Sequence, residues 1–481
     1  MSNIEKKPDI SSSGADTLRP EIRRAMRFIT VAGCLAMVFT HLMKGAPRAA
    51  FLRDIGARPF HFGVIGAIPP LMFACQFGAA LFINRLRRRK RIWIALLVTR
   101  RSMVCLLGLL PWLLPQASAT VLVWSFIGIM AVGSIMEKFA QPMFFAWMGD
   151  LIPSDVFTEV WADRRKWLSW THAGVMVSMA AALWLFRQAD IKIVFPVLAC
   201  ISAIAGVVDI LLFVNVPEPE PSISPEPHLA RLAEPFRYKR FRRYMLYDSV
   251  LKFGAMIGAP LFRIFLLQEI GLGVYEIVLL FTCHALGGAL FARRIGKLAD
   301  EVGHRPVIVL ASAFKCVIAI AMFALVPGPM VLILVPVFLL DNMLNTALVT
   351  SRTGFTLKRA PAENRPMFVA AVLATAGLAG AAGSLLGGLL MDHLPDVGCT
   401  IGTWTLTRFR MVFAVSAVVR FCGFLMSIRL HEPESAEATT VFTDVIAPAL
   451  QRQLEVPISV IRNIRNILSS DQNEEKTTRD Q

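Results

Sequence analysis

The sequence predicts an all-α polytopic membrane protein, with twelve transmembrane helices in two six-helix bundles and both termini cytoplasmic. Three observations predict it. First, 55% of the 481 residues are hydrophobic, only 17% are charged, and the mean hydropathy is +0.58. A soluble domain is roughly 45–50% apolar and about 25% charged. Second, the apolar runs are long and continuous, as over 194–214 and 331–340. A transmembrane barrel would show short alternating segments instead. Third, Lys and Arg alternate between loops, and the two halves of the chain repeat.

Apolar runs bounded by charge, Pro or Gly place the spans at 28–50, 61–83, 92–114, 119–146, 167–186, 191–214, 244–267, 275–292, 307–326, 330–354, 367–390 and 409–428. Each is near the 20 or so residues a bilayer requires. The even-numbered gaps and the two ends test the count. Segments 1–27, 84–91, 147–166, 215–243, 293–306 and 355–366 hold 28 Lys and Arg, while the opposite loops hold 4. Cytoplasmic loops carry this excess, so both termini are assigned to the cytoplasm. The organisation is then a cytoplasmic tail over 1–27, a first bundle over 28–215, a cytoplasmic loop over 216–243, a second bundle over 244–430 and a cytoplasmic tail over 431–481. The central loop opens with Pro217, Glu218, Pro219, Glu220 and Pro221, which cannot continue a helix.

The net charge of +16 is explained by those basic loops, so no nucleic-acid partner is expected. Seven of the eight Cys lie inside apolar segments and no CxxC or His/Cys cluster occurs, so neither a disulfide framework nor a metal site is expected. The polar N-terminus lacks a signal-peptide core. With no N-x-S/T sequon in the chain, a bacterial plasma (inner) membrane is the expected location. No cofactor is expected, the partners are a small solute, protons and the bilayer, and the chain is taken as a monomer.

The halves match at four points in the same order. Gly45-Ala46-Pro47 matches Gly258-Ala259-Pro260, Asp54-Ile55-Gly56 matches Glu269-Ile270-Gly271, Asn84-Arg85 matches Asp300-Glu301, and Pro153 matches Pro361. The nearly constant offset spans six helices, so the copies are parallel repeats.

The run Gly296-Lys297-Leu298-Ala299-Asp300-Glu301-Val302-Gly303-His304-Arg305 resembles the G-x-L-A-D-x-x-G-x-R loop of major facilitator superfamily transporters, found between spans two and three and again between eight and nine. The N-terminal copy, from Asn84 to Lys90, is degenerate: Asn84 replaces Asp and Arg87 replaces Gly. Asp150-Leu151-Ile152-Pro153 with Arg164-Arg165 is similar to the family's loop after span four, without its Arg-Gly. The resemblance covers roughly residues 25–430. It implies the superfamily's fold and a gating role for Asp300, Arg305, Gly296, Asn84 and Asp150, with Asp300 capping or pairing across helix ends.

Ionisable residues at bilayer depth are functional candidates by default. Span one carries His41, Lys44 and Arg48, whose spacing puts them on one face of a continuous helix. Span four carries Glu137 and Gln141, with Lys138 pointing elsewhere. Span seven carries Asp248 and Lys252, read as an intrahelical pair. Span ten carries Asp341 and Asn345. The superfamily lines its pathway with these same four spans, and the polar residues were found without it. Gln76, His284, Lys315 and Arg420 read as isolated packing residues, and Asp209 as the partner of a loop cation. Residues 441–468 read as broken amphipathic helices on the cytoplasmic leaflet.

The function expected is secondary active transport of a small anionic or zwitterionic solute by alternating access, coupled to protons. His41, Lys44, Arg48, Gln141 and Asn345 would bind solute, and Glu137 and Asp341 would carry protons. No P-loop is present, so ATP is not the direct energy source, and no nucleophile–base–acid set marks an enzyme. A drug or metabolite exporter is the alternative within the superfamily, although span five lacks the exporters' Gly-Pro-Gly-Gly pattern. A non-transporting receptor or scaffold is the alternative outside it.

Overall fold

The computed structural model describes residues 20–83, 89–152, 157–219, 234–326, 331–361, 365–395, 400–401, 404–433 and 435–446. The elements run α1 (Pro20–Leu42), α2 (Ala46–Asp54), α3 (Pro59–Ile83), α4 (Arg89–Leu113), α5 (Ala119–Leu151), α6 (Phe157–Leu185) and α7 (Ile191–Leu212). After α8 (Glu234–Arg237) come α9 (Lys239–Gly258), α10 (Phe262–Gln268), α11 (Val274–Val302), α12 (His304–Ala324), α13 (Val331–Arg359) and α14 (Arg365–His393). An antiparallel pair, β1 (Thr400–Ile401) and β2 (Trp404–Thr405), precedes α15 (Arg408–Ile428), and α16 (Ala438–Val441) follows it. Among the described residues eleven helical runs are long and apolar enough to cross a membrane, and Pro59–Met72 gives α3 a twelfth apolar stretch.

The ends of the helices are set by local chemistry. Ser118, Asp190 and Thr407 accept from backbone N–H groups in the first turns of α5, α7 and α15, satisfying donors that have no intrahelical partner. Several helices outrun the bilayer: α5 has 33 residues and is about 50 Å long at 1.5 Å per residue.

Spans one and seven differ from the sequence expectation. Each is broken, into α1 and α2 and into α9 and α10. The breaks fall at Gly45-Ala46-Pro47 and Gly258-Ala259-Pro260, the first duplicated motif. At the first break Gly45 has φ +93 and ψ −147, a region only glycine occupies without strain, and Pro47 starts the new helix where its missing N–H costs nothing. The second motif also repeats as structure. Gly56 and Gly271 both take positive φ, +94 and +77, and Ile55 and Ile270 before them are both buried. The acids that open this motif each pair with a cation at the start of a later span. Asp54 meets Lys192 at 3.2 Å, and Glu269 meets Arg410 at 2.8 Å. The second pair is buried and also takes Thr407 Oγ1 at 2.7 Å; the first is exposed.

Three apolar cores organise the molecule. One joins both bundles and is built from the outer ends of the helices, including Phe51, Leu52, Phe126, Met179, Ile257, Phe265, Ile277 and Phe413. The second contains only first-bundle residues from the basic side, such as Ile29, Trp93, Met148 and Phe213. The third contains only second-bundle residues from that side, such as Tyr244, Tyr247, Ile308, Leu344 and Phe368. The bundles are therefore fused at the outer end and parted at the basic end, which the charge rule assigns to the cytoplasm. At the outer seam α3 packs on α14, α6 on α11, and α2 on α10 and α11. Ser384 Oγ donates to Gly63 O at 2.7 Å across it. A Cβ on Gly63 would lie 2.7 Å from Ser384 O and 2.9 Å from Gly388 Cα, so glycine is what lets α3 and α14 approach so closely.

Candidate functional site

Three neighbouring cavities lie in and between the bundles, and the neck between them shares lining residues with each of the other two. A first-bundle lobe of about 370 Å³ is lined by Lys44, Arg48, Arg100, Glu137 and Lys138 together with Met43, Met103, Val104, Leu107 and Met130. A second-bundle lobe of about 350 Å³ is lined by Lys252, Arg263, His284, Lys315, Asp341, Asn345 and Arg420 with Phe262, Phe281, Met322 and Phe338. A neck of about 190 Å³ touches both, since Arg48 also lines the first lobe and Arg263 the second. Eight Lys and Arg but only two carboxylates line the three cavities.

Both carboxylates are engaged, and in equivalent ways. Glu137 Oε2 of α5 accepts from Arg100 of α4 at 2.5 Å, and Arg100 Nε donates to Gly133 O at 3.0 Å. Asp341 Oδ1 of α13 accepts from Lys315 Nζ of α12 at 2.7 Å, and its other oxygen lies 3.2 Å from His284 Nε2 of α11. Arg100 and Lys315 are 215 residues apart, so each bundle holds one cation of its third helix against one acid of its fourth. Asn342 Nδ2 donates to His284 O at 2.8 Å and fixes α11 against α13 beside the Asp341 pair.

Most of the other lining cations have no acid within ion-pair distance among the described residues. Arg48 reaches only Met130 Sδ, at 3.9 Å. Arg263 lies over the Phe281 ring at 4.3 Å, and its buried Nε has no acceptor. Arg420 reaches Ala255 O at 3.4 Å, and its Nε is likewise buried without an acceptor. The Lys44 and Lys252 side chains make no hydrogen bond or ion pair among the described residues. A buried cation without a partner is costly, and the cost falls when an anion enters.

Several expectations change. His41, Lys44 and Arg48 do not share a helical face, because the chain breaks between Leu42 and Ala46. Arg48 and Lys44 line the first lobe. His41 turns to α6, where its ring stacks on His172 with centroids 3.9 Å apart. Gln141 accepts from Lys138 Nζ at 3.2 Å and lines a further first-bundle cavity of about 220 Å³, which shares Arg100 and Glu137 with the first lobe. Lys138 shares the first lobe with Glu137 instead of pointing elsewhere. Asp248 pairs with Arg352 of α13 at 2.8 Å, not with Lys252 on its own helix. Asp209 pairs with Arg101 inside the membrane, at 2.8 Å, not with a loop cation. His284 and Lys315 are partners of Asp341, not isolated packing residues.

Arg100, Arg101 and Arg263 stand outside the candidates named from sequence. The signal for them was present, since an arginine inside an apolar run is a functional candidate wherever it falls. Phe39 explains how two adjacent arginines fit in α4. The Arg101 guanidinium lies 3.7 Å from its ring centroid and that of Arg100 5.2 Å, while Gly206 leaves room for both the ring and the Arg101 stem.

The gating loop also differs from what the resemblance implies. Asp300 is exposed and its side chain makes no hydrogen bond or ion pair among the described residues. A Cβ on Gly296 would meet nothing within 4 Å, so no second helix among the described residues approaches there. The contact is made by Glu432, just after the last span. Glu432 accepts from the Arg305 backbone N–H at 2.6 Å, at the N-terminus of α12, and lies 3.9 Å from Lys358. Arg305 itself donates to Ile428 O at 3.1 Å. Asp150 ends α5 beside the described boundary; Asn84, Pro153 and most of 441–468 lie outside the described residues.

The architecture has close counterparts among solved structures. It is similar to a bacterial homologue of the human lysosomal transporter Spinster in an inward-facing, unoccupied conformation (TM-score 0.61, 14% identity, 86% of this chain and 100% of that one). A mutant of the nucleoside transporter NupG matches at TM-score 0.66 with 12% identity over 85% of this chain and 100% of its own. A D-xylose–proton symporter matches at 0.62 with 13% identity over 86% and 98%. Identities this low show a shared fold alone. No curated protein matches the sequence significantly. The family model described as Major Facilitator Superfamily matches over residues 28–362 and again over 253–468, taking in both halves of the duplicated chain. The chain belongs to the major facilitator superfamily, whose members are secondary transporters and not enzymes.

Proposed function

We propose that the protein carries a small organic anion across the bacterial plasma membrane, with protons as the coupling ion. The observation that carries this reading is the pair Arg48 and Arg263. They come from opposite bundles, 215 residues apart, line one neck cavity and have no carboxylate beside them. Like charges facing each other oppose closure of the space between them, and an anion held there reverses the sign of that interaction. Solute binding would thus supply the force that draws the parted cytoplasmic ends together, while the outer seam opens.

The proton sites in this reading are Asp341 and Glu137. Asp341 holds Lys315 only while ionised. A proton taken up by Asp341 from the cavity would release Lys315 from its 2.7 Å contact, and loss of the proton would recapture it. The Arg100–Glu137 pair offers the same exchange in the first bundle. Asn345, on the lining of the second lobe, supplies a neutral hydrogen-bonding group for the solute.

Purified protein reconstituted in liposomes on a solid-supported membrane tests the reading. Pulses of organic anions should give transport currents that change with an imposed pH gradient, and neutral sugars and nucleosides should give none. Currents with neutral solutes alone would overturn the anionic assignment. Anion currents indifferent to the pH gradient would overturn proton coupling.

A further inference from the structure

We propose that the second-bundle lobe holds a second anion subsite, formed by Lys252 and Arg420, so that the transported solute carries two anionic groups joined by an apolar spacer. This rests on the anionic reading above and narrows it.

The neck and the second lobe adjoin at Arg263, Met256 and Ala259, which line both. A solute whose first anionic group sits between Arg48 and Arg263 has the second lobe as its nearest space in that bundle. Two cations wait there. Lys252 projects from α9 and Arg420 from α15, so they reach the lobe from different helices. The carboxylates nearest them are already held: Asp341 by Lys315 and His284, and Asp248 by Arg352. Neither lies within ion-pair distance of Lys252 or Arg420.

The lobe is shaped to admit these two side chains. Gly380 of α14 leaves the Lys252 stem its space, since a Cβ there would lie 3.1 Å from Lys252 Cγ. Gly254 of α9 does the same for Arg420, with a Cβ 3.1 Å from its backbone N and 3.2 Å from its Cγ. The Arg420 Nε is buried and has no acceptor. An unpaired buried donor on a cation is costly unless a ligand satisfies it, and its charge specifies an anionic ligand. Phe262, Phe281 and Phe338 wall the lobe. Such a surface suits a hydrocarbon spacer and penalises a polyhydroxylated one, whose hydroxyls would lose water without gaining partners.

The pairing of charges also shows why this subsite belongs to one bundle. Arg48 and Arg263 each follow a copy of the repeated Gly-Ala-Pro motif, and the pairs Arg100–Glu137 and Lys315–Asp341 join corresponding spans of the two bundles. The Gly45 and Gly258 motifs place Phe39 opposite Lys252, and the Pro153 and Pro361 match places Leu212 opposite Arg420, both uncharged. These two cations are additions of the second half. They match an elongated ligand that engages the neck symmetrically and then reaches to one side.

Binding measured by thermal shift and calorimetry on the full-length purified protein tests this, because a ligand stabilises the state that binds it. The probes are succinate, glutarate, adipate and pimelate, each against the monocarboxylate of equal chain length. For the wild type the best dicarboxylate should bind at least about tenfold more tightly than its monocarboxylate, the scale of one buried charge contact. Lys252→Gln and Arg420→Gln should each reduce that preference severalfold, and the double variant should bring it to about one. Arg48→Gln should instead weaken both members of a pair. Melting of each variant without ligand checks folding, and Lys252→Gln, which removes no existing contact, serves if Arg420→Gln is unstable. A wild type with equal affinity for mono- and dicarboxylates would overturn the second subsite and leave the Arg48–Arg263 reading intact. A dicarboxylate preference that survives the double variant would also overturn it. If neither series binds, both proposals fall together.

Discussion

Lys315 and Asp341 form, in the second bundle, the same third-helix to fourth-helix ion pair that Arg100 and Glu137 form in the first, at 2.7 Å. The duplication of the chain is thus preserved in its buried chemistry as well as in its turns. Each bundle places one acid on the lining of these cavities, and each is held by a cation reaching from the neighbouring helix. Beside these neutralised pairs, Arg48 and Arg263 face the neck without an acid.

The pair leads to a test by double substitution. Removing one partner of a buried ion pair costs about 3–5 kcal/mol, because the other charge is left uncompensated. Lys315→Met alone should sharply lower the melting temperature of the purified protein. Lys315→Met combined with Asp341→Asn should recover much of that loss but not solute transport. Melting curves and liposome uptake on the same preparations check both parts. A double variant as unstable as the single one would show that Asp341 and Lys315 do not act as a pair.

The broken first span makes a second prediction. Gly45 has φ +93 and no neighbour within 4 Å of where a Cβ would sit, so Gly45→Ala meets only backbone strain, about 1–3 kcal/mol. The variant should melt at lower temperature. Gly128→Ala, also free of neighbours but without positive φ, should be neutral or slightly stabilising, since alanine favours a helix by roughly 1 kcal/mol. Equal effects at the two sites would remove the argument that Gly45 sets the break.

The outer seam can be forced. Gly63→Leu drives a side chain into Ser384 O and the backbone at Gly388, where nothing can yield without separating α3 from α14. Leu52, only 1% exposed in the joint outer core, should become reachable. A cysteine at position 52 should resist an impermeant thiol reagent added outside in the parent background and react in Gly63→Leu. No change in labelling would mean that this seam does not close the outer side.

The cytoplasmic loop separates two roles that the sequence motif merges. Glu432 makes the hydrogen bond and ion pair in this state, and the Asp300 side chain makes neither among the described residues. Glu432→Ala should destabilise the purified protein by about 1–3 kcal/mol, the cost of leaving the α12 N-terminal donor unsatisfied. Asp300→Asn should leave melting unchanged yet slow transport, if Asp300 acts only when the cytoplasmic ends come together. Hydrogen exchange over 430–441 with melting checks the first, and initial uptake rates the second. Destabilisation by Asp300→Asn would assign it a contact in this state too.

What the sequence made legible follows from which signals are local. Hydropathy acts residue by residue, and it placed the apolar helices that the structure shows, eleven of full crossing length among the described residues and a shorter apolar stretch in α3. The Gly-Ala-Pro and Ile-Gly repeats were visible as duplicated letters, and their structural meaning, a break and a left-handed turn, is local too. Partnerships across helices were not visible. His41 and Arg48 lie seven residues apart, yet the Gly45 break sends one towards α6 and the other into the neck. Asp248 has a cation four residues away and still pairs with Arg352, because that guanidinium arrives from α13. Asp209 and Arg101 are separated by 108 positions, and spacing carries no trace of such a pair. Glu432 reached the gating loop from beyond the last span, outside the motif altogether.

The most direct test of the account is anion binding by Arg48→Gln and Arg263→Gln, measured by calorimetry beside the wild type with the best dicarboxylate from the probe series. The account predicts that each single variant binds at least about tenfold more weakly while melting, without ligand, no lower than the wild type, because relieving like-charge repulsion in the neck does not destabilise the empty protein. Unchanged affinity in both variants would contradict the assignment of the neck as the anion site.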